Sequence, residues 1–311
     1  MNFKQCAKAL MSHDNILIIT HKNPDGDTVG SAAALCSFLR RLGKKAALYN
    51  NPQVSAKLRA YAGEFFANED FEVEYTVAVD TAAEGLFPLG FSGKVDLCID
   101  HHPTNSRYAG ELLCGPEKAS CAEVVFELAD SLGIVPNAQE ASLLYIALST
   151  DCGSFQYHNT KADTLLAASK LVALGADNAT INTVFFRKVS MARIKLESMI
   201  YSGMRFYRDG KIAVAVVSQK MLAESGAVED DLDDLAGLAG RAEGSLLNIT
   251  IREQKDGSSK ISVRSTKDVN SSDICAVFGG GGHAMAAGCT IFAEPEKARD
   301  MLLAVVEEVW K

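Results

Sequence analysis

Three apolar runs near the start of the chain share one kind of ending. Ile16-Leu17-Ile18-Ile19 stops before Thr20-His21, and Thr76-Val77-Ala78-Val79 stops at Asp80. Val95-Asp96-Leu97-Cys98-Ile99 stops at Asp100, with His101 and His102 behind it. Runs this short and this apolar read as buried strands of a parallel sheet covered by helices on both faces. In such a sheet, functional groups collect beyond the carboxyl ends of the strands. Core packing gives no reason for acids and imidazoles to recur at one end of each run. The pattern therefore narrows the first part of the chain to an α/β fold with a polar site at its strand ends.

The turn after the first run is His21-Lys22-Asn23-Pro24-Asp25-Gly26-Asp27. Pro24 and Gly26 break the strand pattern, and a helix is expected over 28–43, ending at Gly43. Taken alone, Asp25 and Asp27 could simply cap that helix. Lys45–Tyr49 reads as a further strand, and helices are expected over 120–133, 138–151, 161–175 and 178–188. The stretch Ala141–Thr150 is nearly all apolar, so its helix should be buried, and it delivers Asp151 at its end. A buried helix ending in an acid needs a partner for that acid. Asp25, Asp27, Asp80, Asp100 and Asp151, with His21, His101 and His102, make a set of carboxylates and imidazoles without thiolates. Such a set favours Mn²⁺, Mg²⁺ or Co²⁺ over a closed structural zinc site. It holds enough ligands for two ions. A shared carboxylate, with Asp80 the candidate, would set them about 3.5–4 Å apart, acidifying water and neutralising charge on a phosphoryl oxygen.

The chain has 311 residues, 48% of them apolar, which is ample for a core and points to two domains. Its net charge of −8 disfavours a broad basic grip on long duplex nucleic acid but allows a small anionic substrate. The eight cysteines form no C-x-x-C pair and read as small buried hydrophobes. No apolar run reaches membrane-spanning length and the first residues lack a signal-peptide core, so a cytoplasmic protein with no membrane partner is expected. His13 and His158 read as surface histidines. A mixed-charge helical pattern over 189–207 is taken as a linker helix between domains at 1–188 and 208–311. Beyond it, Lys211–Val217, Ser245–Arg252 and Lys260–Ser265 alternate like strands. Asp256-Gly257 turns the last two into a hairpin. A short helix over 273–278, the run Gly279-Gly280-Gly281-Gly282-His283, and a helix over 295–310 complete the chain.

The turn from His21 to Asp27, with Asp80, Asp100-His101-His102 and Asp151, resembles the four ordered motifs of the DHH phosphoesterases. Gly279–His283 with Ala286-Ala287-Gly288 resembles the glycine-rich signature of the DHH-associated C-terminal domain. Val263-Arg264-Ser265 resembles that domain's substrate-binding arginine segment. The resemblance covers nearly the whole chain and is greatest to the bacterial oligoribonuclease (nanoRNase) and pAp-phosphatase branch. It implies a parallel-sheet N-terminal domain, a smaller α/β C-terminal domain and an active site in the cleft between them; the domain layout adds the expectation that movement about the linker closes it. It implies two Mn²⁺ ions, with Mg²⁺ or Co²⁺ as substitutes. His21, Asp25 and Asp80 would hold the first, and Asp27, Asp80, His101 and Asp151 the second. His102 would assist as a donor beside the reacting phosphate, with Asp100 orienting it and Asp80 completing the catalytic set. Asn23 would line the site. Arg264, Ser265, Gly280, Gly281, Gly282 and His283 would bind substrate. The implied substrates are dinucleotides and other very short RNA oligonucleotides, cut to nucleoside 5′-monophosphates, and pAp. A homodimer is left open.

Two other readings stand beside this one. A soluble inorganic pyrophosphatase of the same superfamily should carry a compact cation clamp, yet Arg264 is followed by Ser265-Thr266. A non-catalytic nucleotide-binding regulator should have lost a ligand, and none of the candidate ligands is missing.

Overall fold

The structure is a computed structural model that describes residues 1–68, 70–228, 231–232, 235–266 and 268–310. The chain divides into two compact units, Met1–Lys188 and Val189–Lys311.

In the first unit, α1 (Phe3–Ser12), β1 (Ile16–Ile19), α2 (Gly26–Arg41), β2 (Ala46–Leu48), α3 (Ala56–Ala62), β3 (Tyr75–Val79), β4 (Leu97–Asp100) and β5 (Glu111–Cys114) are followed by four helices. These are α4 (Cys121–Leu132), α5 (Ala138–Asp151), α6 (Ala162–Ala173) and α7 (Asn178–Asn182), the last running into a wider turn over Thr183–Arg187. The sheet is wholly parallel, in the order β2-β1-β3-β4-β5. Every residue of β1, β3 and β4 is buried, which is why they read as unbroken apolar runs. From β1 the chain goes first to β2 on one side and then to β3 on the other. The crevice beyond the ends of β1 and β3 is therefore the switch point where such sheets place their sites.

Helix α2 is buried continuously from Gly26 to Leu39 and lies directly on α5. Two glycines make this approach possible. A Cβ on Gly26 would stand 2.3 Å from Thr150 Oγ1, and one on Gly30 would stand 2.5 Å from the Leu143 carbonyl oxygen. At the far end, fully buried Glu140 accepts from Ser37 Oγ at 2.7 Å and from Arg41 Nη1 at 2.5 Å. The N-terminus of α2 is thus held against the C-terminus of α5, where Asp151 sits.

The second unit contains α8 (Met191–Gly203), β6 (Arg205–Tyr207), β7 (Ile212–Val217), α9 (Gln219–Ser225), β8 (Leu247–Glu253), β9 (Ser259–Ser265), α10 (Ser271–Ala276), β10 (Gly281–His283), β11 (Ala286–Ile291) and α11 (Pro295–Val309). Its mixed sheet has the order β10-β11-β9-β8-β7-β6. The single helix expected over 189–207 is corrected here. It ends at Gly203, and Arg205–Tyr207 instead pair antiparallel with β7, Arg205 opposite Val214. One face of the sheet, including Val214, Ile249, Ile251, Ile261 and Val263, forms a core with Leu302 and Val306 of α11. The β8–β9 hairpin turns at Gly257, whose φ is +81°, with Gln254 N donating to Ser258 O at 2.7 Å. Among the described residues no helix is long and apolar enough to cross a membrane.

Candidate active site

The ends of three strands of the first unit supply parts of one cluster. His21 lies just past β1, Asp80 just past β3, and Asp100, His101 and His102 end β4. Asp25 is the N-cap of α2, and its Oδ1 accepts from the backbone N–H of Asp27 (3.0 Å) and Thr28 (3.1 Å). The capping role and a place in the cluster coexist, because His21 Nε2 stands 3.6 Å from the same carboxylate. Asp27 does a different job. It is fully buried, accepts Cys121 N at 2.7 Å and Ala122 N at 3.1 Å, and so ties the start of α4 to the start of α2. Asp151 arrives at the end of α5.

Asp80 is the junction. Its Oδ2 lies 3.7 Å from His21 Nε2 and its Oδ1 lies 3.5 Å from His101 Nε2. Three groups have ligand atoms within 4.8 Å of one another: His21 with Asp25 and Asp80; Asp27 with His101 and Asp151; and Asp80 with His101 and His102. Asp80 Oδ1 is buried and has no hydrogen-bond partner among the described residues. Asp80 also has a φ of +55°, a conformation that costs a non-glycine residue energy and collects at functional sites. An orphaned carboxylate oxygen facing two imidazoles is what a cation-binding oxygen looks like without its cation. The donor set fits hard or borderline divalent ions.

The histidines are oriented for this. Carbonyl oxygens only accept, so Nδ1 of His21 donates to Lys22 O (2.8 Å) and Nδ1 of His101 donates to Lys118 O (3.3 Å). Each Nε2 then faces the carboxylates, the nitrogen on which a neutral ring of this tautomer carries its lone pair. His102 is held otherwise: its Nδ1 donates to Asp100 Oδ1 at 2.8 Å.

In the second unit, His283 pairs across the sheet with Ala286, and Ala286 with Arg264. Arg264 and His283 therefore share one face, both exposed. A groove of about 630 Å³ runs past Arg264, Ser262, Gly280, Gly281 and Gly288. A Cβ on Gly280 would stand 2.3 Å from the Gly288 carbonyl oxygen. Ser265 belongs to the opposite face, and its Oγ donates to Val269 O at 2.6 Å and meets Ser271 Oγ at 2.7 Å. In the first unit, Asn23 has a φ of +50°, and its Oδ1 accepts from Gln53 Nε2.

Residues 15–148 match the N-terminal domain of the DHH family and residues 209–311 match the DHHA1 domain. The chain is 32% identical over 298 residues to a bifunctional oligoribonuclease and PAP phosphatase, NrnA, of Thermus thermophilus, covering 94% of this chain and 89% of that one. The chain belongs to the DHH family. A protein of the same name from Bacillus subtilis is 25% identical, with 98% of this chain and 97% of that one covered. The fold matches that of an exopolyphosphatase-related protein from Bacteroides fragilis with a TM-score of 0.87 at 22% identity, over 98% of this chain and 95% of that one.

In this DHH-family site the charges are unevenly settled. Burial, followed by repulsion from neighbouring carboxylates, pushes Asp27 and Asp80 well above the ordinary carboxylate range. Burial and the Asp25 charge push Asp151 up to about 6. Burial opposes ionisation of Asp100 as well, but hydrogen bonds from His102 and Asn105 more than offset it and hold that carboxyl below its ordinary value. The Asp100 hydrogen bond raises His102, making it a better proton holder at neutral pH, whereas burial and the nearby His102 charge lower His101. His101 is thus kept neutral, as a metal-binding imidazole must be.

Several residues that shape the DHH-family site carry no signal in the sequence. Fully buried Asn51 donates to Thr20 Oγ1 (3.2 Å) and His21 O (3.1 Å). Thr28 Oγ1 donates to Val79 O at 2.9 Å, and Asn105 Nδ2 donates to Asp100 Oδ2 at 2.6 Å. Polar residues in loops are common, and nothing in their spacing separates these from solvent-facing neighbours.

Proposed function

We propose that the chain is a metal-dependent phosphoesterase. It hydrolyses dinucleotides and other very short RNA oligonucleotides to nucleoside 5′-monophosphates, and it removes the 3′-phosphate of 3′-phosphoadenosine 5′-phosphate (pAp). The observation that carries the hydrolytic part is the position of Asp80, shared by two His/Asp groups with one oxygen left without a hydrogen-bond partner among the described residues. The substrate class follows the names of the Thermus thermophilus and Bacillus subtilis relatives, which favour it over a pyrophosphatase.

His21, Asp25 and Asp80 would hold one divalent ion; Asp27, Asp80, His101 and Asp151 would hold the other. Mn²⁺ is the preferred ion on the chemistry of this donor set, with Mg²⁺ or Co²⁺ as substitutes. Bound there, two such ions supply a water nucleophile at neutral pH and neutralise charge on the phosphoryl group. His102, its Nδ1 tied to Asp100, presents Nε2 as a hydrogen-bond or proton donor to a phosphate oxygen. Asn23 lines the site. Arg264 supplies positive charge and His283 a ring donor for substrate phosphate in the second unit, and the bare Gly280–Gly282 backbone allows a close approach. Residues 1–188 and 208–311 then divide the work into metal chemistry and substrate grip.

The test is purified chain with Mn²⁺, offered a 5′-labelled RNA length series, pAp and pyrophosphate. Release of mononucleotides from the shortest RNAs, with phosphate release from pAp, is expected. Turnover of pyrophosphate alone, or of none of them, overturns the reading.

A further inference from the structure

We infer that Asn105 is a positioning residue for the hydrolysis: it decides which of two carboxylates His102 serves. The inference rests on the phosphoesterase reading and assigns a role to a residue outside the motif sets.

His102 Nδ1 has two acidic neighbours. Asp100 Oδ1 lies at 2.8 Å and Asp80 Oδ1 at 3.6 Å. The second is the oxygen that has no hydrogen-bond partner among the described residues. If His102 turned to Asp80, it would occupy the oxygen that also faces His101 Nε2, and its own Nε2 would point elsewhere. Something must therefore keep Asp100 the better acceptor.

Asp100 is fully buried, so its carboxylate stays put only if both oxygens are satisfied. Oδ1 accepts from His101 N (2.8 Å) and from His102 Nδ1. Oδ2 accepts from Asn105 Nδ2 at 2.6 Å. The rest of Asn105 is pinned from both sides. Its backbone N donates to His102 O at 3.1 Å, and its Oδ1 accepts from Arg107 N at 2.8 Å. The same Nδ2 lies 3.4 Å from Thr81 O, a carbonyl that also accepts from Tyr108 Oη at 2.8 Å. Thr81 follows Asp80, so the turn after β4 is fastened to the segment that carries the competing carboxylate. One amide thus fixes Asp100, the turn that presents His102, and the spacing of both from Asp80.

Removing the amide leaves Asp100 Oδ2 without that donor and lets the carboxylate rotate, freeing His102. In Asn105→Ala, kcat should fall about 10- to 100-fold, the usual effect of removing a residue that orients a working one. KM for the dinucleotide pApA, Mn²⁺ content and melting temperature should change little. Asn105→Asp keeps the shape and the acceptor for Arg107 N but loses the donor, and should fall at least as far. The exchange Asp100→Asn with Asn105→Asp restores a donor–acceptor pair in the opposite direction, and should recover part of the kcat lost in Asn105→Asp.

A second readout does not depend on the substrate assignment. In ¹H–¹⁵N spectra of the histidine rings, the hydrogen-bonded Nδ1 proton that disappears in His102→Gln should also weaken in Asn105→Ala. Bis(p-nitrophenyl) phosphate with Mn²⁺ serves as a generic diester. If the unaltered chain cleaves it but neither RNA nor pAp, the substrate reading fails and the Asn105 role is still tested. An undiminished kcat in both single variants, a loss fully explained by missing metal, or an unchanged His102 ring proton would overturn the role.

Discussion

Asp80 is 4% exposed, sits in a left-handed backbone conformation, and leaves one oxygen without a hydrogen-bond partner among the described residues. All three features cost stability, so Asp80→Asn should have opposite effects on activity and on the metal-free fold. Turnover should fall by about 100- to 1,000-fold or more, the scale of losing a group that stabilises developing charge. The metal-free variant should melt higher than the unaltered chain at pH 8, because a buried repulsive carboxylate has gone; a lower melting point would contradict the charge argument. The pH dependence has a definite sign. Asp27, Asp80 and Asp151 have raised values in the folded chain, Asp151 to about 6 from an ordinary 3.8. Across that window the metal-free folded state binds more protons than the unfolded state, so these groups' contribution to stability falls as pH rises. At the proposed site, divalent ions would take the place of those protons. Thermal melts should therefore show that stabilisation by Mn²⁺ is greatest above about pH 7 and shrinks as pH falls through about 6. His21, Asp80, His101 and His102 were legible in the sequence because strand ends repeat such groups, and Asp25, Asp27 and Asp151 because they stand at the ends of expected helices. Asp27's second job, bonding the start of α4, was not, since that contact joins residues far apart in the chain.

At the scale of elements, the cluster depends on how closely α2 lies on α5. Gly26 and Gly30 are one turn apart, both on the contact face, and both without room for a methyl group. Gly30→Ala should therefore cost about 1–3 kcal/mol in chemical denaturation, as overpacking does. It should also weaken Mn²⁺ binding, because the shift moves Asp25 and Asp27 away from Asp151. Full stability with normal Mn²⁺ affinity would mean that the helices slide without cost and that this packing does not set the site. The helices themselves could be read from sequence: α4 and α5 fall within a residue or so of the expected bounds, and α5 is buried as its apolar run implies. Other elements could not. β5 is an edge strand with Glu111 exposed and Leu112 half-buried, so it lacks the uniform burial that marks β1, β3 and β4. β6 has three residues, too few to show alternation against the helical pattern that precedes it.

At the scale of the whole molecule, the first unit contains all seven proposed metal and donor side chains: His21, Asp25, Asp27, Asp80, His101, His102 and Asp151. The second contains the exposed pair Arg264 and His283. Hydrogen exchange should reflect this division. Adding Mn²⁺ should slow exchange in peptides from 15–30, 76–84, 97–104 and 145–155, and leave those from β9, β10 and β11 unchanged. Arg264 and His283 stand on one row of their sheet, two strands apart, or about 10 Å between backbones. That spacing lets two long side chains converge on one phosphate. His283→Ala should therefore raise KM for pApA severalfold without altering metal content, and Arg264→Ala should do the same. If both grip the same phosphate, the double variant should lose less than the two single losses combined, with a coupling of about 0.5–3 kcal/mol. Strict additivity would assign them to separate parts of the substrate, and loss of metal in either variant would show that the second unit does more than hold substrate.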